Sequence, residues 1–146
     1  MIKITQEVAC AMREHAISEQ PLECCGILGG RDGLVSSCYP LRNEAQSPQT
    51  RFFASPEDLF SAIWQIRNSG QQMLGIYHSH PQSPAFPSRT DIEMAFYPDV
   101  VSFIISLQLT PLMRAFRIRE GTVEPVEYQI IEVAAQPSDG AVASSN

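Results

Sequence analysis

Residues 78–91 read His78-Ser79-His80-Pro81-Gln82-Ser83-Pro84-Ala85-Phe86-Pro87-Ser88-Arg89-Thr90-Asp91. Two of the chain's three histidines stand one residue apart, and an aspartate follows the second by eleven positions. The preceding Met73-Leu74-Gly75-Ile76-Tyr77 is short and mostly apolar, the pattern of a buried strand. If that strand runs on to His80, alternation points both imidazoles to one face, where they can grip one ion. Ser88-Arg89-Thr90-Asp91 has the form of a helix capping box, which sets Asp91 in a first helical turn. Pro81, Pro84 and Pro87 stiffen the loop between strand and helix. Two imidazoles and a carboxylate are a ligand set of catalytic zinc with one position open for water. The same residues also read as hydrogen-bonded core histidines and a plain cap, and ligand chemistry alone leaves both readings open.

Working outward, Thr5 to Glu19 reads as a helix, with Val8, Met12 and Ala16 at helical spacing and Pro21 beyond its end. Glu23 to Gly30 is a short apolar strand, paired through a turn at Arg31-Asp32-Gly33 with Leu34 to Leu41. Asn43 to Thr50 is loop-like, and Arg51 to Ala54 is a brief strand. Ser55-Pro56-Glu57-Asp58 opens a second helix with a cap, a proline and early acids, and Gly70 closes it. A short helix is expected from Arg89 to about Phe96 and a buried strand from Val100 to Leu107. Leu112 to Arg119 and Val123 to Val133 form a hairpin turned at Glu120-Gly121, with Pro111 at a strand edge. Residues 134–146 are small, polar and unpatterned, a flexible C-terminal tail. His15 has no partner pattern and reads as a surface residue of the first helix.

The 146 residues suit one domain, expected over residues 1–133. Helices interspersed with hairpin strands suggest an α/β or α+β sandwich. A formal charge of −6 argues against a nucleic-acid partner. No apolar run approaches the ~18 residues of a membrane span, and Met1 to Glu7 has no signal-peptide pattern, so a cytoplasmic location is expected. Cys10, Cys24, Cys25 and Cys38 form no Cys-x-x-Cys pair; they read as reduced thiols packed as small apolar residues, Cys24 and Cys25 on opposite sides of their strand.

His-x-His, seven residues, Ser, two residues, Asp resembles the JAMM motif of the MPN-domain metallopeptidases. That family completes its site with a glutamate in a Glu-x-Cys-Gly context, and Glu23-Cys24-Cys25-Gly26 matches it. The resemblance spans about residues 3 to 130 and takes in Asn43, Pro48 and Phe52-Phe53, which look like the small stand-alone prokaryotic branch. It implies the MPN fold: a curved mixed sheet flanked by helices, similar to cytidine deaminases. Deaminase chemistry itself requires a Pro-Cys-x-x-Cys pair, which this chain lacks.

The resemblance further implies one Zn2+ per chain held by His78, His80 and Asp91, Glu23 as general base, and Ser88 as oxyanion donor. From its own sequence alone Glu23 reads first as an ordinary charged strand-end residue. The implied activity is cleavage at the C-terminal Gly-Gly of a small ubiquitin-like sulfur-carrier protein, with release of cysteine, as in cysteine synthesis, or of a short extension. The alternatives are an isopeptidase acting on ubiquitin-like conjugates, a non-catalytic MPN scaffold, and a relative of the DNA-linked RadC-type proteins. The proline loop Pro81 to Pro87 is expected to form one wall for the tail, and Phe86 reads equally as a cover over it or as simple loop packing.

Overall fold

The computed structural model describes residues 1–108 and 112–133. The expected edge proline, Pro111, and the expected tail, 134–146, lie outside the described residues. The elements run β1 (Ile2–Thr5), α1 (Gln6–Glu19), β2 (Cys25–Arg31), β3 (Leu34–Leu41), α2 (Pro56–Asn68), β4 (Gln72–His80), α3 (Arg89–Glu93), β5 (Val101–Ser106), β6 (Leu112–Arg119), β7 (Thr122–Val126) and β8 (Tyr128–Ile131).

The strands join one eight-stranded sheet in the order β7-β6-β5-β4-β2-β3-β1-β8. It is mixed: β4 with β5, and β1 with both β3 and β8, are parallel, and the other pairs are antiparallel. β7 and β8 are opposite edges of this order, yet only Glu127 separates them in the chain. One residue spans only a few ångströms, so the sheet curls until its edges approach. Tyr128 fastens the curl: its ring meets Phe103 edge-on at 5.5 Å and its hydroxyl donates to the Met113 carbonyl at 2.6 Å.

This curl corrects the expected hairpin strand Val123 to Val133. The chain pairs with β6 only as far as Val126, then breaks at Glu127 and crosses to β1. The short helix is also shorter than expected, ending at Glu93. Arg51 to Ala54 contributes a single bridge, Asn43 to Ala54, rather than a strand.

Both tight hairpins follow from their turn residues. Asp32 and Gly33 adopt φ of 51° and 76°, and Glu120 and Gly121 adopt 48° and 79°. Two successive left-handed residues match the twist of paired strands, and glycine takes the second at no steric cost.

Each face of the sheet is covered differently. Thr5 caps α1 by accepting from the Val8 amide, and Val8, Met12 and Ala16 pack on Ile4, Cys24, Leu28, Tyr77 and Phe103. On the other face α2 lays Ala62 and Ile66 over Cys25, Ile27 and Leu41. Cys24 and Cys25 thus enter separate cores, as their adjacency in a strand requires. Beyond α2 on this second face, Ala85 of the proline loop packs on Ile104 and Phe116. The strand ends between these two covers carry the histidines. Among the described residues, no helix is long and apolar enough to cross a membrane.

Candidate metal centre and its groove

His78 and His80 end β4, the strand hydrogen-bonded to β2 on one side and β5 on the other. Each is 3% exposed, and alternation turns both to the α2 face. Between them, Ser79 faces the opposite side; its hydroxyl accepts from the Cys24 amide at 2.8 Å and its own amide donates to the Cys24 carbonyl at 3.1 Å. This clamp holds the chain segment bearing Glu23 against the end of β4.

The loop after β4 is fixed by its polar ends. His80 Nδ1 lies 2.7 Å from the Pro84 carbonyl oxygen and Ser106 Oγ donates to the Ser83 carbonyl at 2.8 Å. The capping box then forms in full: Asp91 N donates to Ser88 Oγ at 3.0 Å and Ser88 N donates to Asp91 Oδ2 at 2.9 Å.

That same Asp91 oxygen lies 3.0 Å from His78 Nε2 and 3.1 Å from His80 Nε2, and the two nitrogens are 3.1 Å apart. The structure therefore brings His78, His80 and Asp91 together in a triangle. A neutral His80 that donates Nδ1–H to Pro84 presents a bare lone pair at Nε2. Facing it are a carboxylate oxygen and a second imidazole, so acceptors converge where a cation satisfies them. Glu23, 4% exposed, offers an oxygen that forms with the two histidine nitrogens a group lying within 4.8 Å of one another. Glu23 Oε1 and His78 Nδ1 are buried without a hydrogen-bond partner among the described residues, a costly state that an ion or water at the site relieves. Two nitrogens and one oxygen around an open side suit zinc.

The electrostatics divide the acids. Burial pushes the Glu23 carboxyl up to about 8, against the nearby His80, which pulls it down, and with Asp91, which adds to the rise. Burial also disfavours charge on Asp91, but the His78 and His80 imidazoles beside it and the Ser88 amide overcome it and hold this carboxyl far below the usual range. Desolvation lowers His78. For His80 burial acts the same way, and the bonds to Asp91 and the Pro84 carbonyl reverse it to a net rise.

Three contributors carry no motif of their own. Phe52 stacks on His78, ring centroids 4.4 Å apart. Asn43 ties the 43–54 loop together and reaches the Glu23 carbonyl. His15 is no plain surface residue: its Nδ1 lies 2.8 Å from the Tyr77 hydroxyl beneath the sheet. Asn43, Pro48 and Phe52 stand in the loop stretch that shares the prokaryotic pattern; for His15 there was no sequence signal.

From His78 and Asp91 an apolar groove of about 250 Å³ runs between α2 and the segment after α3. Ile27 and Ile76 floor it, Phe52 and Leu59 form one wall, and Met94 and Tyr97 the other. Phe86 is not part of it. Its ring packs edge-on against Phe116 at 5.4 Å.

Residues 5–119 match the family of prokaryotic homologues of the JAB domain. A CysO-cysteine peptidase of Mycobacterium tuberculosis is 30% identical over 137 residues, spanning 90% of this chain and 92% of that protein. A probable TtuB-protein conjugate cleaving protease of Thermus thermophilus is 38% identical over 109 residues, spanning 75% of this chain and 70% of that protein. Among solved structures, a JAB1/MPN domain protein of Archaeoglobus fulgidus superposes with a TM-score of 0.63 at 20% identity, covering 90% of this chain and 100% of that one.

Proposed function

Because this chain belongs to the family of prokaryotic homologues of the JAB domain and is a hydrolase of the JAMM type, we propose that it cleaves after the C-terminal Gly-Gly of a small ubiquitin-like sulfur-carrier protein and releases cysteine. The observation that carries this reading is the placement of the His78–His80–Asp91 triangle and buried Glu23 at the end of an apolar groove. A tail without side chains can lie extended there and thread to the reacting centre, as main-chain recognition requires.

The residues present fit one zinc, held by His78, His80 and Asp91. When bound, zinc supplies Lewis acidity and makes water a stronger acid near neutral pH. Glu23 accepts a proton from the attacking water and delivers it to the departing nitrogen as the carbonyl carbon–nitrogen bond breaks. The Ser88 hydroxyl oxygen is occupied as an acceptor from the Asp91 amide, which leaves its proton free to donate to the oxyanion. A tail seated in the apolar groove displaces water from it, which strengthens both interactions.

Exposed Phe53, Met94, Phe96 and Tyr97 border the groove and give the folded body of the carrier an apolar surface to rest on. The relative that cleaves protein conjugates supports a second reading, an isopeptidase with lysine as the leaving group. The discriminating experiment offers the zinc-loaded protein a carrier–cysteine conjugate and a carrier–protein isopeptide together and follows both by intact mass. Preferential loss of cysteine supports the first reading, and efficient isopeptide cleavage beside an intact cysteine conjugate overturns it.

A further inference from the structure

We propose that Asn43 is the positioning residue for Glu23; the inference rests on the catalytic reading of Glu23 given above. Asn43 engages both polar atoms of its amide. Nδ2 donates to the carbonyl oxygens of Glu23 at 3.0 Å and Arg51 at 2.9 Å, with Pro48 at 3.4 Å sharing a proton, and Oδ1 accepts from the amides of Ala45 and Phe53, both at 3.0 Å. One side chain therefore closes the whole 43–53 loop onto Glu23, two residues before β2.

Glu23 depends on that closure. Its Oε1 is buried with no partner among the described residues, so no side chain or backbone group among them holds that oxygen in place. Its main chain is held instead: the amide donates to the Pro48 carbonyl at 2.8 Å and the carbonyl accepts from Asn43. Pro48 belongs to the loop that Asn43 closes, so both anchors of Glu23 lead to one amide group. Phe52 is adjacent to Phe53, whose amide Asn43 binds, and its ring stacks on His78. The loop thereby anchors the Glu23 main chain and also carries the ring that lies against His78. The three ligands themselves stand on β4 and at the α3 cap and need no support from Asn43.

The test is a mutant cycle on the zinc-loaded protein. Asn43→Ala should lower kcat by roughly 10- to 100-fold, the cost of a misplaced catalytic group, with KM within about two-fold and zinc content unchanged, since the loss is confined to the chemical step. In a Glu23→Gln background the same substitution should change the residual rate by less than about two-fold, because groups acting as a unit are not additive. Asn43→Asp keeps the acceptor for Ala45 and Phe53 but replaces the donors that hold Glu23, Pro48 and Arg51. It should lose kcat as Asn43→Ala does, and it serves if the alanine variant does not fold. Full kcat in Asn43→Asp, or equal losses with and without the Glu23 carboxylate, overturns the proposal. Amide exchange on the metal-free protein gives a readout independent of substrate. The Glu23 amide should exchange faster in Asn43→Asp while those of Ala45 and Phe53 and of β4 keep their protection; an unchanged Glu23 amide overturns the proposal. If the wild type hydrolyses no Gly-Gly conjugate, the functional reading fails and the exchange result alone decides the role of Asn43.

Discussion

Ser88 and Asp91 hold each other through two hydrogen bonds, 2.9 and 3.0 Å long, and the Asp91 oxygen that accepts from the Ser88 amide is the one that meets both histidines. A helix cap is thus also the frame of the candidate metal site. The backbone amide of Ser88 orients Asp91, so this support survives any change of the Ser88 side chain. Ser88→Ala should keep its zinc, lose about 1 kcal/mol of stability as a lost cap does, and lose on the order of 10² in kcat as a lost oxyanion donor does. Metal content, thermal unfolding and turnover on one preparation check the three together. Full activity in a merely destabilised variant would leave Ser88 as a cap only.

The groove wall should govern binding rather than chemistry. Met94 is 51% exposed, so Met94→Glu should fold normally. A charge facing the apolar groove costs on the order of 1–3 kcal/mol on desolvation, which should appear as a roughly 10-fold or greater rise in KM with kcat little changed. Steady-state kinetics on the carrier conjugate decide this. A fall in kcat at constant KM would remove the groove from substrate binding.

Burial pushes the Cys24 and Cys25 thiols up to about 12 and raises half-buried Cys38 as well, whereas Cys10 is exposed. Thiolate is the reactive species, so raising a thiol from ~8.5 to the buried values lowers its thiolate fraction near pH 8 by roughly 10³-fold. Native protein should therefore react rapidly with a thiol reagent at Cys10 alone, and at the other three only on unfolding. Peptide mapping after a brief pulse of alkylation tests this; prompt labelling of Cys24 or Cys25 would contradict the packing described.

Asp58 fixes the start of α2 through Arg42, whose side chain and backbone amide both bind its carboxylate at 2.9 to 3.1 Å. These bonds lower its pKa against desolvation, which acts the other way. The depressed folded value means the stabilisation is fully present above the unfolded pKa of ~3.9 and is lost as pH falls through the folded value. Asp58→Asn should be less stable than wild type across the neutral region and converge with it as pH falls below about 4, so that its acid limb is flatter, as denaturant midpoints across pH will show. A steep acid limb identical to wild type would assign the loss to other carboxylates.

The sequence made the frame of the site legible because each piece is local. Alternation on β4 pairs His78 with His80, Ser88-x-x-Asp91 is a cap written in four residues, and Asp32-Gly33 and Glu120-Gly121 fix two hairpins. What escaped depends on distant partners. β1 is four residues long and stands directly before a helix cap, so no periodicity marks it. The departure of β8 from its hairpin partner is set by the curl of the sheet and by Tyr128 reaching Phe103 and Met113; Pro125, two residues before the break at Glu127, is the one local signal in Val123 to Val133. His15 meets Tyr77 across 62 positions of sequence. Loop proximity leaves Phe86 open between covering the tail and loop packing, and its contact with Phe116 on β6 decides for packing.

The most direct test is a zinc titration of hydrolysis. Protein stripped of metal by a chelator is supplied with zinc in steps and scored for release of cysteine from the carrier conjugate by intact mass. The account predicts no turnover at the start, a linear rise to one zinc per chain and a plateau beyond it, with His80→Ala and Asp91→Ala showing no rise at stoichiometric metal. Undiminished hydrolysis by the stripped protein, or a plateau unrelated to the His78–His80–Asp91 triangle, would contradict it.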